Sequence, residues 1–350
     1  MSVKLDLRNK LINGSLDYWQ RNTTFAAIAN NQYHADRFHY IKTGTMVHTV
    51  SRSTDVPSSA FGIYSMLVDC TTAQASILAG SYVGVLQHIE GNVLRSFKGK
   101  KMVLSFWVKA TKTGTYCVAL RNGTSTKAYI MEYTVSTTNT WEKKTLRFTH
   151  DTTGTWAYDN TIGLTVVWTI AAGSTFQTTA NTWANGNFLA TANQVNACDA
   201  ATNDFQLSDT CLQEDNDGQT RTPDFQLAGR DVFDELRLCQ RYYEKSYEIG
   251  TNPGTVTRVN STSFFQAVGG SADWTSTVFR VSKRSTPIAT VYAPDSGASG
   301  NVTNCGSGNT GSANLAASAE IPAGTYIIKW TWTLASAAFI KIHWTADAEL

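Results

Sequence analysis

The 350-residue sequence predicts an all-β protein of two domains, and three observations carry that prediction. Threonine is abundant, 48 residues of 350, and a β-branched side chain suits a half-buried strand better than a helix. Charged residues make up only 16%, below the ~25% usual for soluble domains, which leaves an uncharged polar surface. Apolar residues alternate over short runs bounded by turn-forming residues, the period of strands. With 42% hydrophobic residues the chain can bury a substantial core. A helical bundle, a coiled coil, a disordered chain and collagen are all excluded.

The elements follow in order. Residues 38–50, 61–70 and 76–89 read as strands. In 101–109, Met102, Leu104, Phe106 and Val108 fall on one face and Val103, Ser105, Trp107 and Lys109 on the other. Apolar residues on both faces suit a strand inside a two-sheet packing. Tyr116, Val118 and Leu120 continue after a turn at Thr113-Gly114, 141–149 alternates through Leu146 and Phe148, and 162–170 is densely apolar. About eight to ten such strands point to a β-sandwich of jelly-roll type. Residues 173–203, rich in Thr, Asn and Ala, are too long for a turn and read as an ordered excursion or functional loop. In 230–247, Val232, Phe233, Leu236, Cys239, Tyr243 and Tyr247 recur at helical spacing, with Asp231 as cap and Asp234 and Glu235 in the first turn. Beyond residue 250, strands are expected at 264–268, 276–282, 286–292 and 326–334, and 339–344 is expected to pair with the last of these as a hairpin. Residues 297–317 read as a small-residue loop. The predicted organisation is a jelly-roll domain over 1–229, a connecting helix over 230–250 and a smaller C-terminal β-sandwich over 251–350.

The charge balance, 29 Lys+Arg against 27 Asp+Glu, lacks the basic field of a nucleic-acid binder. The longest apolar run, 162–173, is too short and too Thr-rich to span a bilayer. No secretory signal is read at residues 1–10, so folding in the cytosol is expected, with the six scattered cysteines as free thiols.

Motifs for catalysis are absent: the sequence holds no GxSxG, HExxH, P-loop or GxGxxG, and no enzyme activity or cofactor is expected. His39 and His48 are strand residues that could meet in space. The metal candidate is the acidic turn with Asp215 and Asp217, part of a calcium loop whose twelfth position is Asp224 rather than a bidentate Glu. Sugars bury their apolar faces against aromatic rings. Among the ten tryptophans, Trp156 and Trp183, with Tyr158, sit in loop-like contexts and are the candidate glycan contacts.

Several stretches together resemble virion structural proteins of tailed bacteriophages, of tail or tail-fibre type, with a jelly roll like that of carbohydrate-binding modules. The opening Leu11-Ile-Asn-Gly-Ser-Leu-Asp-Tyr-Trp-Gln-Arg21, followed by Thr24-Phe25, resembles the family's INGxFxxWQRGTSF, with Asn22 in place of Gly. Tyr33-His-Ala-Asp-Arg-Phe38 resembles YTADRW, and Leu104-Ser-Phe-Trp-Val-Lys109 resembles LSFWVKA. Glu235-Leu-Arg-Leu-Cys-Gln-Arg-Tyr-Tyr-Glu-Lys-Ser246 is close to ELALCQRYYEKS, and Trp344-Thr-Ala-Asp-Ala-Glu-Leu350 resembles a frequent ending. The motif residues singled out are Trp19, Gln20, Arg21, Asp36, Arg37, Cys239, Gln240, Arg241, Tyr242 and Tyr243. A structural role is expected for them, with Arg21 and Arg37 pairing with Asp17 or Asp36. The resemblance implies a place in a phage particle rather than a reaction. It further implies a homotrimer, contacts with other tail or head-appendage proteins, and, as the alternative, a module that binds host surface glycan. Glycan cleavage is the third reading. No membrane insertion is expected. The hydrophobic 326–344 stretch is the expected self-association surface.

Overall fold

The computed structural model describes residues 8–215, 225, 230–266, 273–320 and 326–350. By its contacts the chain divides into two compact units. The first holds the described residues up to Asp17, Thr23–Glu235 and Leu350; the second holds Tyr18–Asn22 and Leu236–Glu349.

The strands of the first unit are β1 (Thr24–Phe25), β2 (Gln32–Tyr33), β3 (Phe38–Thr43), β4 (Val47–Ser53), β5 (Ser65–Thr72), β6 (Tyr82–Glu90), β7 (Lys101–Ala110), β8 (Gly114–Asn122), β9 (Lys127–Val135), β10 (Glu142–Thr149), β11 (Ile162–Ala172), β12 (Trp183–Asn185) and β13 (Asp204–Glu214). They form two antiparallel sheets, one in the order β1-β4-β5-β13-β7-β10 and one in the order β12-β9-β8-β11-β6-β3-β2. The sheets meet through aromatic side chains. Phe106 of β7 reaches edge-on to Tyr133 of β9 (5.1 Å) and Trp168 of β11 (6.0 Å), and Phe205 of β13 lies 6.0 Å from Tyr116 of β8. The chain is all-β, as its composition predicts, with the jelly-roll type of sandwich that its strand pattern predicts.

The other face of the seven-stranded sheet is apolar as well. One row of directly opposed residues runs Ile130, Ala119, Val167, Leu86 across four strands. The 173–203 excursion covers it, placing Leu189 and Ala190 in that cluster with Phe176 and Phe188 against it. The Thr169 hydroxyl donates to the Leu189 carbonyl (2.6 Å), and both Leu189 and Ala190 amides donate to the Phe176 carbonyl. Gly173 opens the excursion because a Cβ there would stand 1.9 Å from the Leu78 carbonyl oxygen. The dense run of β11, buried on both faces, thus has a cause: one face packs in the sandwich and the other under this cover.

Two short α-helices are present among the described residues, α1 (Gly91–Leu94) and α2 (Val232–Gln240). The second is the predicted connecting helix, and it is shorter than 230–250. Asp231 caps it, its carboxylate accepting the Asp234 amide at 2.8 Å. Leu236 and Cys239 are half-buried and buried, but Val232 and Phe233 are 49% and 77% exposed, and the helix stops at Gln240. Tyr243 does not continue the helix. It begins a strand, because its backbone pairs with the end of the chain.

The second unit contains β14 (Tyr243–Lys245), β15 (Thr262–Gln266), β16 (Asp273–Val278), β17 (Ile288–Tyr292), β18 (Asn301–Asn304), β19 (Ala313–Glu320), β20 (Ile327–Trp332) and β21 (Ala338–Asp347). The long β21 pairs with β14 and β15 along one edge and with β17 and β18 along the other. The predicted hairpin of 326–334 with 339–344 is absent: β20 pairs with β16 and β19 instead. Both strands need to bury an apolar alternation, and they do so in one cluster that contains Ile328, Trp330, Trp332, Ile340, Ile342 and Trp344. The apolar side chains of the stretch expected to be a self-association surface therefore largely fill this unit's own core, with Tyr326 the large hydrophobic residue that stays exposed, at 66%. Residues 297–317 are not a plain loop, since β18 and the start of β19 lie within them.

The motif residues are placed by these units. Trp19 is 2% exposed. Arg21 pairs with Asp347 (3.0 Å) and Glu349 (3.3 Å), far away in sequence, and its guanidinium lies 3.8 Å from the Tyr243 ring centroid. Gln20 donates to the Tyr243 carbonyl, and Lys245 donates to the Gln20 carbonyl (2.6 Å). Gln240 offers its carbonyl to Lys283, Arg241 its carbonyl to the Arg284 amide and Tyr242 its carbonyl to the Ala348 amide. Three stretches distant in sequence, 19–21, 240–245 and 344–349, thereby form one joint. In the first unit, Asp36 is buried with its carbonyl accepting from the Asn13 side chain, and Arg37 donates to the His88 carbonyl (2.7 Å) from a left-handed backbone, φ 72°. Glu235 accepts the Asn13 amide (2.8 Å) and pairs with Arg230.

Candidate functional site: an aromatic groove in the first unit

Where β8 turns into β9, Asn122 organises the chain. Its side-chain carbonyl accepts the amides of Thr126 and Lys127, and its amide donates to Thr124, Thr126 and the Thr155 carbonyl. A buried amide side chain with every group bonded makes a rigid corner. Gly123 permits the close approach there, since a Cβ would sit 2.1 Å from the Ile162 oxygen. The loop between β10 and β11 is pinned beside it. Asp151 accepts from Thr153 and pairs with Lys127, and Asp159 accepts the Thr161 amide and hydroxyl. Those Thr161 hydrogen bonds hold the Asp159 carboxyl below its ordinary range. At Asp151 burial acts upward but the bonds from Lys127 and Thr153 outweigh it.

Between these loops lies a groove of about 330 Å³, lined by Gly123, Thr124, Thr155, Trp156, Ala157, Thr161 and Ile162, the small end of the range for ligand sites. Trp156 stands edge-on to Trp183 at 5.5 Å, with His150 4.4 Å away and Tyr129 5.1 Å from Trp183. Both indole N–H groups are used inside the protein, Trp156 to Thr153 and Trp183 to Thr149 carbonyls. What the groove offers is a ring, hydroxyls and backbone groups, the chemistry that a sugar requires. Burial drives the His150 pKa down to about 4, so the imidazole beside Trp156 is neutral at pH 7.

Two of the three glycan candidates are thus brought together, Trp156 and Trp183. Tyr158 is half-buried under the Lys98 ammonium, 4.8 Å from its ring. The expectation of exposed rings needs correction for Trp156, which is 8% exposed, whereas Trp274 on β16, missed in the sequence, is 60% exposed. Trp274 shares a row with Thr331 and Ser318, beside a shallow depression lined by Ser318, Thr331 and Thr333. The strand expected at 276–282 overlaps β16 only at 276–278 and leaves Trp274 outside it. The acidic turn is corrected too: Asp215 is buried and bound to Arg147 (3.1 Å), while Asp217 lies outside the described residues. Among the described residues no group of three or more His, Cys, Asp or Glu is arranged to hold a metal. His39 approaches His88 (5.6 Å) rather than His48, because successive strand residues face opposite ways and it is Tyr40 of β3 that points at His48.

No protein-family model matches the sequence, and no curated protein sequence does. The chain is similar to several solved structures at low identity. One is the enzymatically active domain of tailspike protein 4 of bacteriophage CBA120, with 14% identity, TM-score 0.32, and 54% of this chain aligned to 21% of that one. Two are carbohydrate-binding modules of Clostridium thermocellum. The family 11 module of the cellulase Lic26A-Cel5E shows 11% identity, TM-score 0.30 and 56% against 98% coverage. The C-terminal family 22 module of Xyn10B shows 15% identity, TM-score 0.28 and 57% against 96% coverage.

Proposed function

We propose that this chain is a non-catalytic carbohydrate-binding protein that works as a surface component of a tailed-phage particle. The observation that carries the binding role is the groove floored by Trp156 and walled by threonine hydroxyls. The particle role rests on the motif resemblance, and the joint made by 19–21, 240–245 and 344–349 supports it by giving those motifs a shared structural task. Binding is tested with a glycan array on the full chain, followed by calorimetric titration of the hits. Trp156→Ala is expected to weaken binding about tenfold, ~1.4 kcal/mol, and Trp156→Phe to retain most of it. An array without a bound glycan, or a Trp156→Ala variant that is folded and binds unchanged, refutes the reading.

A purely architectural role is the second reading, favoured by the excursion over the seven-stranded sheet, which closes the broad sheet face to ligands. It expects a homotrimer contacting other tail or head-appendage proteins. Electron microscopy of the intact particle, with the chain buried among neighbours and its groove covered, would decide for it.

A further inference from the structure

Cys70 on β5 and Cys198 in the excursion are 128 positions apart in the sequence, yet the fold gathers both around His48. The backbone holds them there. The Gln74 amide donates to the Cys198 carbonyl (2.8 Å), the Cys70 amide to the Asn203 carbonyl (3.1 Å), and Asn196 donates to the Gln74 carbonyl (2.9 Å). His48, directly opposite Cys70 in the β4–β5 ladder, brings Nε2 to 3.4 Å from the Cys198 sulfur, and its Nδ1 is 2.7 Å from the Tyr40 hydroxyl. All four side chains are at most 1% exposed. A structural thiol needs no such company: Cys117, for comparison, is simply packed against Thr191, and burial pushes its thiol up to about 11. The neighbouring Cys198 and His48 instead draw the Cys70 thiol downward, while Cys198 is pushed up in turn, so Cys70 is the nucleophile of the two.

We propose that Cys70 and Cys198 are a thiol–disulfide modification site, reduced on synthesis and closed to a disulfide by a low-molecular-weight disulfide oxidant. The Cys70 thiolate attacks one sulfur of the oxidant and releases a thiolate, forming a mixed disulfide. Cys198 then attacks the Cys70 sulfur and displaces the second thiolate. Two electrons pass to the oxidant, and the two thiol protons go to the two released thiolates. The bond fastens the end of the excursion to β5, and with it the cover over the seven-stranded sheet. Closing so long a loop restricts the unfolded chain and stabilises the folded one.

The experiment exposes the native full chain to cystamine at neutral pH, then alkylates free thiols in denaturant and maps peptides by mass. The expected result is loss of two of the six thiols, a linked peptide pair containing Cys70 and Cys198, a higher melting temperature and slower proteolysis within 173–203. Cys198→Ser, a near-isosteric change, is expected to leave a cysteamine adduct on Cys70 and no link. A folded protein that keeps all six thiols, links another pair, or carries adducts on both residues without a link overturns the proposal. None of these outcomes depends on glycan binding.

Discussion

Glu244→Gln isolates one of the most demanding interactions in the second unit. Glu244 and Lys283 are each fully buried. The three ammonium protons of Lys283 have three acceptors, the carbonyls of Gln240 (2.6 Å) and Val281 (2.9 Å) and the Glu244 carboxylate. The other carboxylate oxygen of Glu244 accepts the Arg280 amide at 3.0 Å. Burial lowers the Lys283 pKa, and the Glu244 charge works against that shift. Glutamine keeps the volume but turns one acceptor into an N–H donor. Both partners are donors, so one N–H must face another, and the ammonium loses its counter-charge. A lost charged hydrogen bond costs about 1.5–3 kcal/mol, and removing one member of a buried pair costs about 3–5 kcal/mol in all. With a urea slope of about 2 kcal/mol/M, the midpoint should fall by roughly 1.5–2.5 M. The assay is pulsed hydrogen exchange across a urea series, read on peptides of β20 and β21. The double variant Glu244→Leu/Lys283→Met, which removes both charges, should recover most of the loss. A single variant that loses under ~1 kcal/mol, or a double variant as unstable as the single, refutes the reasoning.

Other outcomes follow from the same geometry. Burial depresses His150 and His343 from 6.5 to about 4; between those values the unfolded chain binds more protons than the folded one, so the stability they contribute is complete above pH 6.5 and fades as pH falls toward 4. Melting curves at pH 7 and pH 5 should show the drop, and a flat profile would contradict it. Asn122→Ala removes five hydrogen bonds around the groove and strands two amides, at a cost of about 2–4 kcal/mol, seen as a lower melting temperature together with weaker glycan binding. Gly173→Ala should loosen the excursion by forcing a methyl against the Leu78 carbonyl, raising protease sensitivity in 173–203. Trp274→Ala, in the other unit, should leave binding at the Trp156 groove unchanged; a loss there would move the glycan site to the β16 face.

The legible part of this molecule was local. Period-two alternation found β7, β10 and β20 because each strand reports its own two faces, β11 was legible as a dense apolar run, and Asp231 was readable as a cap because capping involves a residue three positions away. The helix was overextended because Tyr243 and Tyr247 happen to fall on its spacing, while the hydrogen bonds that end it come from β21. The candidate site was half legible: Trp156 and Trp183 were named from their loop contexts, but nothing in the sequence ties Asn122 or Gly123 to them.

By itself the sequence determined the all-β class, the low-charge threonine-rich surface and the residues that fill the cores, since these depend on composition and nearest-neighbour spacing. Tertiary structure decided which strand pairs with which, so that β20 and β21 share a core without sharing a ladder. It also decided which tryptophan is wet, which arginine meets which carboxylate, and that Cys70 and Cys198 both neighbour His48. The physical reason is common to all of these. Pairing and exposure are settled by which distant surfaces bury each other, and that competition is among elements that sequence proximity does not rank.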